Sequence, residues 1–497
     1  MPEISKFIEY LMKQNADLTA QVKNLNETID NLNQTIRELR EQLAQNSGNS
    51  SKPPSSDGLK KKPSPKSLRE KSGKKSGGQK GHKGNCLNVT SQPDEIEKHY
   101  HPDCAVCPHR EQCMEKACVK ETRHVIDTVV QVKITAHKKM CVQECLFCGQ
   151  PKTGEFPADI VNRVQYGKNL EALVVSLNTV GAVSINRIHE IIGSVFDIPL
   201  ATGTIKNMVT RCAEKIKPVI KKIRQEIIKS PVVNCDETGT RVEGKTQWVH
   251  NASNANFTYL TLNSKRGYDA MKEADILPHY TGIMVHDCWN SYWKFDDAAH
   301  QICCVHLLRE LNGVIENYPE QKWAQQFKEL LLNMKKARDK AVRKEKSALS
   351  PATVHRYSKK YDELILYALS ENPMPKQKNS KRGKKKKGKV LSLINRLLKY
   401  KGQVCLFLEN FFVPFDNNQA ERDIRNVKVK TKVSGCFRSF DGAVEYLDIM
   451  SYICTARKHS LNPFKAIFAA VSGIPYDFNL RACLVSGQKV IQCDIID

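Results

Sequence analysis

The chain has 497 residues, of which 40% are hydrophobic, and it carries 78 Lys and Arg against 53 Asp and Glu. That length exceeds what one hydrophobic core serves, so several domains are expected, and the net charge of +25 points to a polyanionic partner. No apolar run approaches the roughly 20 residues that span a bilayer, which excludes a helical membrane protein, and the opening MPEISKFIEYLMKQN lacks the pattern of a secretory signal.

The first element expected is a coiled-coil dimerisation helix over 1–46. Ile8, Asn15, Val22, Ile29, Ile36 and Leu43 recur every seventh residue, and Ile4, Leu11, Leu18, Leu25, Leu32 and Leu39 form the companion row. β-branched residues at a with Leu at d favour a parallel two-stranded coil, and Asn15 at an a position fixes register, so a homodimer through 4–43 is expected. A single amphipathic helix packed on its own domain is the alternative.

Residues 47–92 read as a basic flexible linker, since 47–85 holds eleven Lys and Arg against two acids and is rich in Gly, Pro and Ser. Such a segment buries too little to fold alone, and its charge suits a phosphate backbone; a merely solubilising linker is the plainer reading.

A zinc-binding module is expected over 93–160. Eight of the 18 cysteines crowd between Cys86 and Cys148, which in a reducing cytoplasm argues for metal rather than disulfides. Cys104 with Cys107, and Cys145 with Cys148, make two C-x-x-C knuckles suited to a structural tetrahedral Zn²⁺, separated by a stretch with the alternation of a strand at Val125, Val129, Val130, Val132 and Ile134. Cys113, Cys118, Cys141 and His109 compete for the ligand set. Lys133, Lys138 and Lys139 would present charge to DNA.

Apolar spacing turns helical over 161–230, with one face at Leu170, Leu173, Val174 and Leu177 and a longer one from Ile205 to Ile227. Two short helices around a turn would make a helix-turn-helix, although helices used only as scaffold explain the spacing equally well. Strands at 246–251, 257–263 and 282–287 and a helix at 267–274 then build the first part of a catalytic core over 231–306. A helical insertion occupies 307–405, interrupted by a basic loop at 376–389 with nine Lys and Arg and no acid. The second part of the core spans 406–475, and 476–497 forms a C-terminal tail.

Three acids stand out in this frame. Asp236 closes the apolar run Val232, Val233, and Asp287 closes Ile283, Met284, Val285, so both read as strand-end carboxylates. Glu421 lies on a helix whose apolar face is Ala420, Ile424 and Val427, with Asp416 or Asn417 as N-cap. Convergence of the three would suit two Mg²⁺ or Mn²⁺ ions, which prefer oxygen ligands and clamp the attacking and leaving oxygens of a phosphodiester. Singly, each acid has a plainer role: a turn former at 236 and 287, and an ion pair of Glu421 with Arg425. Cys235, Cys288 and Ser291 beside the acids are conceivable nucleophiles, but no base is placed beside them.

The order of heptad coil, KPPSSDG, GGQKGHKG, paired CxxC knuckles, DETG, HDCWNSYWKF, CCVHLLREL, DNNQAERDIR and TARKHSLNPF resembles the transposases of the insertion sequence 66 family, of the DDE class, over nearly the whole chain. The resemblance implies a multidomain α+β protein with a ribonuclease-H-like core, in a bacterial, nucleoid-associated enzyme. It would bind the terminal inverted repeats of its element, nick the ends and join the freed 3′ hydroxyls to target DNA. It also implies that Asp236, Asp287 and Glu421 bind the metals, that His306, Arg309, Asn417, Asn418, Arg422 and Arg425 lie near them, and that small accessory proteins of the same element are partners. The chain departs from the family pattern at Pro108, where a Gly usually follows the knuckle cysteine. A non-catalytic, zinc-stabilised dimeric repressor is the competing reading from another class, and a resolvase or repair nuclease a third.

Overall fold

The computed structural model describes residues 2–46, 49–50, 92–126, 131–373 and 388–478. The expected linker, apart from residues 49, 50 and 92, the bulk of the basic loop at 376–389 and nearly all of the C-terminal tail lie outside them. In chain order the elements are α1 (Pro2–Ala44), α2 (Arg110–Glu115), β1 (Cys141–Val142), β2 (Lys152–Thr153), α3 (Lys168–Thr179), α4 (Ile185–Phe196), α5 (Thr202–Ile228), β3 (Val232–Val242), β4 (Lys245–Ser253), β5 (Thr258–Asn263), α6 (Tyr268–Glu273), β6 (Ile283–His286) and β7 (Ala299–Ile302). Helices follow: α7 (Cys304–Asn317), α8 (Lys322–Val342), α9 (Pro351–Glu371), α10 (Lys389–Lys399), α11 (Lys401–Glu409), α12 (Asn418–Ser434), α13 (Phe440–Lys458) and α14 (Pro463–Val471). The chain divides into two compact units, 66–140 and the remainder.

The main sheet has the order β5-β4-β3-β6-β7. β3, β4 and β5 form an antiparallel meander, and β6 and β7 run parallel to β3. Glu243 and Gly244 close the β3–β4 hairpin, both with positive φ as a two-residue primed turn requires. Side chains alternate across the sheet. Val233, Cys235 and Met284 pack with α5, α13 and α14, whereas Val232 and Ile283 meet the cluster built by α7 to α11. The sheet is thus covered on both faces, and the helical insertion supplies one of the covers.

Several expectations change here. Asp236 is not at a strand end but is the fifth residue of β3, which runs eleven residues. Thr238, Thr240 and Val242 continue the buried alternation, and β4 pairs with β3 to Val242 where β6 has already stopped. Polar side chains facing a covering helix look like turn residues in sequence. The alternating segment 125–134 forms no strand in its described residues, and the one described strand between the knuckles is the two-residue β1; Val125 and Ile134 stand exposed, and alternation without a partner makes no ladder. Lys389, expected in the basic loop, is the first residue of α10. A break at 230/231 does not coincide with a packing boundary, because Val209 to Ile227 of α5 belong to the cluster of the sheet. α5 therefore serves as scaffold along most of its length.

β5 is one edge of the sheet, and α13 covers it. Leu260 N donates to Ser451 Oγ at 2.9 Å and Thr258 N to Thr455 Oγ1 at 3.1 Å, so two polar side chains on a largely buried helix satisfy backbone groups that would otherwise invite another strand. A buried ion pair fixes α12 to the same region: Lys458 Nζ reaches Asp423 at 2.7 Å, and Thr258 Oγ1 donates to the same carboxylate at 3.1 Å. Asp423→Ala would strand the Lys458 charge, so urea denaturation is expected to show a loss of about 3 kcal/mol. A loss below about 1 kcal/mol would mean that the pair is not what holds α12 there.

Candidate active site

Parallel pairing brings the first two acids side by side. β3 and β6 are in register at Val232↔Ile283, Val233↔Met284 and Asn234↔Val285, and Asp236 and Asp287 each lie two residues beyond the last couple. Asp236 Oδ1 accepts from the Glu237 backbone N–H at 2.9 Å. Asp287 Oδ1 accepts from Trp289 N at 2.9 Å, across a tight turn in which Cys288 has φ +72°. A β-branched or bulky residue resists that region, and even Cys is held there only by its surroundings.

Glu421 reaches the pair through Asn417. Asn417 is the N-cap of α12 by position, yet its side chain makes no cap; Asp416 instead accepts from Asn418 N at 3.1 Å. The Asn417 amide, 1% exposed, turns to β3: its Nδ2 donates to the Cys235 carbonyl at 2.7 Å and its Oδ1 accepts from Asn234 Nδ2 at 2.9 Å. Its backbone N–H meets Cys303 Sγ at 3.2 Å, and Asn251 Nδ2 of β4 donates to the Ala420 carbonyl at 3.2 Å. The residues flanking Asp236 and the first turn of α12 are thereby bound together. Ala420, Ile424 and Val427 are buried as the spacing predicts, which leaves Glu421 at the margin of the packed face.

The Asp236 carboxyl senses the charges of the other two acids. Burial, then the charges of Glu237, Asp287 and Glu421, push the Asp236 carboxyl well above its ordinary range. The nitrogen neighbours of Glu421 are on α7, the Arg309 guanidinium at 3.7 Å and the His306 ring at 3.9 Å, rather than Arg425. Burial holds His306 below the usual imidazole range, against the pull of Asp287 and Glu421. Asn418 is half-buried, and Arg422 and Arg425 project to solvent, Arg422 donating to Gln419. His306, Arg309 and Asn417 are therefore in the site, while Arg422 and Arg425 flank it.

Among the described residues, no three His, Cys, Asp or Glu side chains are gathered tightly enough to hold a metal ion as they stand. Like charges repel, so facing carboxylates stand apart unless positive charge draws them in. Their chemistry suits a hard cation all the same: all donors are carboxylate oxygens, and Glu421 Oε1 is buried with no hydrogen-bond partner. Thiol nucleophiles fit poorly. Cys235 is fully enclosed with its pKa raised by burial, and burial pushes Cys288 up to about 11.

Sequence reasoning missed the residues behind the acids. Glu237, 9% exposed, receives Arg266 Nε at 2.9 Å and Tyr292 O–H at 2.6 Å, and Arg266 lies 4.1 Å over the Trp289 ring. The available signal was an acid adjoining Asp236 on the opposite face of β3, which needs a partner if buried.

The two C-x-x-C pairs lie in different units. Cys104 lies within a short 3-10 turn, Pro102–Ala105, and Cys107 follows its C-cap. Cys145 and Cys148 sit in the loop between β1 and β2, where Gly149 has φ +65° and its N–H donates to the Cys145 carbonyl at 2.7 Å. Backbone N–H groups of Phe147 and Cys148 lower the Cys145 thiol below its ordinary range, as a thiolate ligand requires.

The sequence pattern of the transposase IS66 family matches residues 163–445, more than half of the chain and all of the sheet, the insertion and α12. The chain belongs to this family. The IS66 transposase is thus a DNA-acting enzyme in general terms, with DNA as its partner. A second pattern, a family of unknown function (DUF6444), matches residues 6–88, and no curated protein matches the chain. No helix among the described residues of the transposase is long and apolar enough to cross a membrane.

Burial and neighbouring acids raise Glu237 to about 7 and raise Asp236 as well, so the folded transposase retains protons that the unfolded chain releases above the ordinary carboxylate range. Stability without divalent cations should therefore fall as pH rises towards and through about 7. Melting temperatures between about pH 5 and about pH 8 check this, with a shallower decline expected for Glu237→Gln.

Proposed function

We propose that this IS66 transposase is a DDE-class enzyme that binds the terminal inverted repeats of its element and catalyses metal-dependent strand cleavage and strand transfer. Asp236, Asp287 and Glu421 hold two Mg²⁺ ions, or Mn²⁺, which when bound supply positive charge at the attacking and leaving oxygens of the phosphodiester. The observation that carries this reading is the buried Oε1 of Glu421, which has no hydrogen-bond partner, on a residue whose charge, with that of Asp287, raises the Asp236 carboxyl beyond what burial alone does. The sheet order supports a ribonuclease-H-like core, since an antiparallel meander followed by two parallel strands sets one acid on the central strand and one beyond its neighbour.

The chain's own groups then have separable roles. Asn417 orients Glu421 by fixing its helix to β3. Arg309 and His306 flank the Glu421 carboxylate, and the low pKa of His306 leaves Arg309 as the charged one of the two near neutral pH. Arg422 and Arg425, exposed on α12 beside the carboxylates, contribute to holding the DNA backbone by displacing its counterions.

The remaining parts serve assembly. The Cys104–Cys107 and Cys145–Cys148 pairs serve as thiolate ligands of structural Zn²⁺, a reading supported at the second pair by the positive-φ Gly149 and the lowered Cys145 thiol. α1 pairs with a second copy through 4–43: Ile8, Leu11, Leu18, Val22, Leu25, Ile29, Leu32, Ile36 and Leu39 are each about half exposed on a helix of 43 residues, an apolar seam that water disfavours. Small accessory proteins of the element complete the set of partners.

Asp287→Asn, which removes charge at nearly constant shape, should abolish Mg²⁺-dependent nicking of a terminal repeat while retaining binding to it. Normal nicking by that variant would remove Asp287 from the chemistry. For the coil, sedimentation of a chain lacking 1–46 should give a monomer where the full chain gives a dimer. Unchanged mass would place the self-association elsewhere.

A further inference from the structure

Glu237 adjoins Asp236 on β3 and is almost wholly enclosed, but its two oxygens are spent differently from those of the three site carboxylates. Oε1 accepts from Arg266, Nε at 2.9 Å and Nη2 at 2.5 Å; Oε2 accepts from the Tyr292 hydroxyl at 2.6 Å. Both partners lead to the turn that carries Asp287. The Arg266 guanidinium lies over the Trp289 ring at 4.1 Å, with the Trp248 ring of β4 5.0 Å away, and the Trp289 backbone N–H is the one that donates to Asp287 Oδ1 at 2.9 Å. The Tyr292 ring stacks on His286 at 4.6 Å, and His286 Nδ1 accepts the N–H of Cys288, the residue held at φ +72°, at 3.1 Å.

The two arms therefore start on one carboxylate beside Asp236 and close on the residues either side of Asp287. β3 and β6 stop pairing at Asn234↔Val285, so no ladder hydrogen bond fixes the spacing of the two acids beyond that point. We infer that Glu237 is a positioning residue, which sets the separation of Asp236 and Asp287 through Arg266 and Tyr292 and does not itself bind the cations. This rests on the reading of Asp236, Asp287 and Glu421 as cation ligands. Because Mg²⁺ demands near-ideal octahedral geometry, a small change in that separation should weaken its use more than that of a more tolerant ion.

The test uses the full-length chain and Mn²⁺ binding followed by electron paramagnetic resonance, together with nicking of a terminal repeat in Mg²⁺ or Mn²⁺. Glu237→Gln is near-isosteric, and Tyr292→Phe removes one arm alone. Glu237→Gln is expected to keep the wild-type number of bound Mn²⁺ ions with affinity lowered about 10- to 100-fold, the range usual for groups that orient metal ligands. Its nicking should fall in Mg²⁺ and recover in large part in Mn²⁺; Tyr292→Phe should move the same way by less. Asp236→Asn should lose a bound ion and stay inactive in both metals. Loss of a bound ion in Glu237→Gln, or equal inactivity in both metals, would make Glu237 a ligand and overturn the inference, as would unchanged affinity and unchanged Mg²⁺ nicking. If Asp236→Asn and the wild type bind Mn²⁺ alike, the reading of the carboxylates fails first, and the positioning role falls with it.

Discussion

One buried amide ties the first turn of α12 to β3 beside Asp236. Asn417 donates to the Cys235 carbonyl and accepts from Asn234, so both ends of its side chain are used on β3 within two residues of Asp236. The first turn of α12 can then take only one position relative to that strand, and Glu421, one helical turn on, follows it. Satisfied amides of this kind are worth little as net stability but are costly to leave half-made, which makes them good at specifying a single arrangement. Glu421 is 185 residues from Asp236 along the chain, and the whole insertion from α7 to α11 folds between Asp287 and Asn417. The clamp makes that detour harmless to the site.

Around the clamp, charge is arranged in two tiers. The front tier is incompletely satisfied: Asp236 is pushed up by burial and by its acidic neighbours, and Glu421 keeps an enclosed oxygen without a hydrogen bond. The rear tier is satisfied, with Glu237 bound to Arg266 and Tyr292, and Asp423 bound to Lys458 and Thr258. A buried charge persists only where it is paired or awaits a partner. That contrast separates acids that build the scaffold from acids available to a cation, although all of them lie in or beside the same strand and helix.

Much of this was legible in sequence because local pattern and tertiary role agreed. The strands at β4, β5 and β6, the helical insertion and the buried face of α12 follow from period and length alone, and membership of the IS66 family accords with the motifs DETG, HDCWNSYWKF and DNNQAERDIR. What was not legible depends on a partner. β3 extends past Asp236 because β4 pairs there and α12 covers its polar residues, so Thr238 and Thr240 are buried against expectation. Val132 and Ile134 alternate but pair with no strand. Asn417 is a good cap by type, and only its contact with β3 reveals that its side chain is used elsewhere. Glu237, Arg266 and Tyr292 are far apart in sequence and meet only on the folded sheet.

The most direct test of the account is anomalous diffraction from crystals of the full chain grown with Mn²⁺ and DNA carrying a terminal repeat. The account predicts strong manganese peaks among the carboxylates of Asp236, Asp287 and Glu421, with Glu237 still bound to Arg266 and Tyr292. Manganese held elsewhere, or a Glu421 side chain turned away from the ions while its helix stays clamped by Asn417, would contradict it.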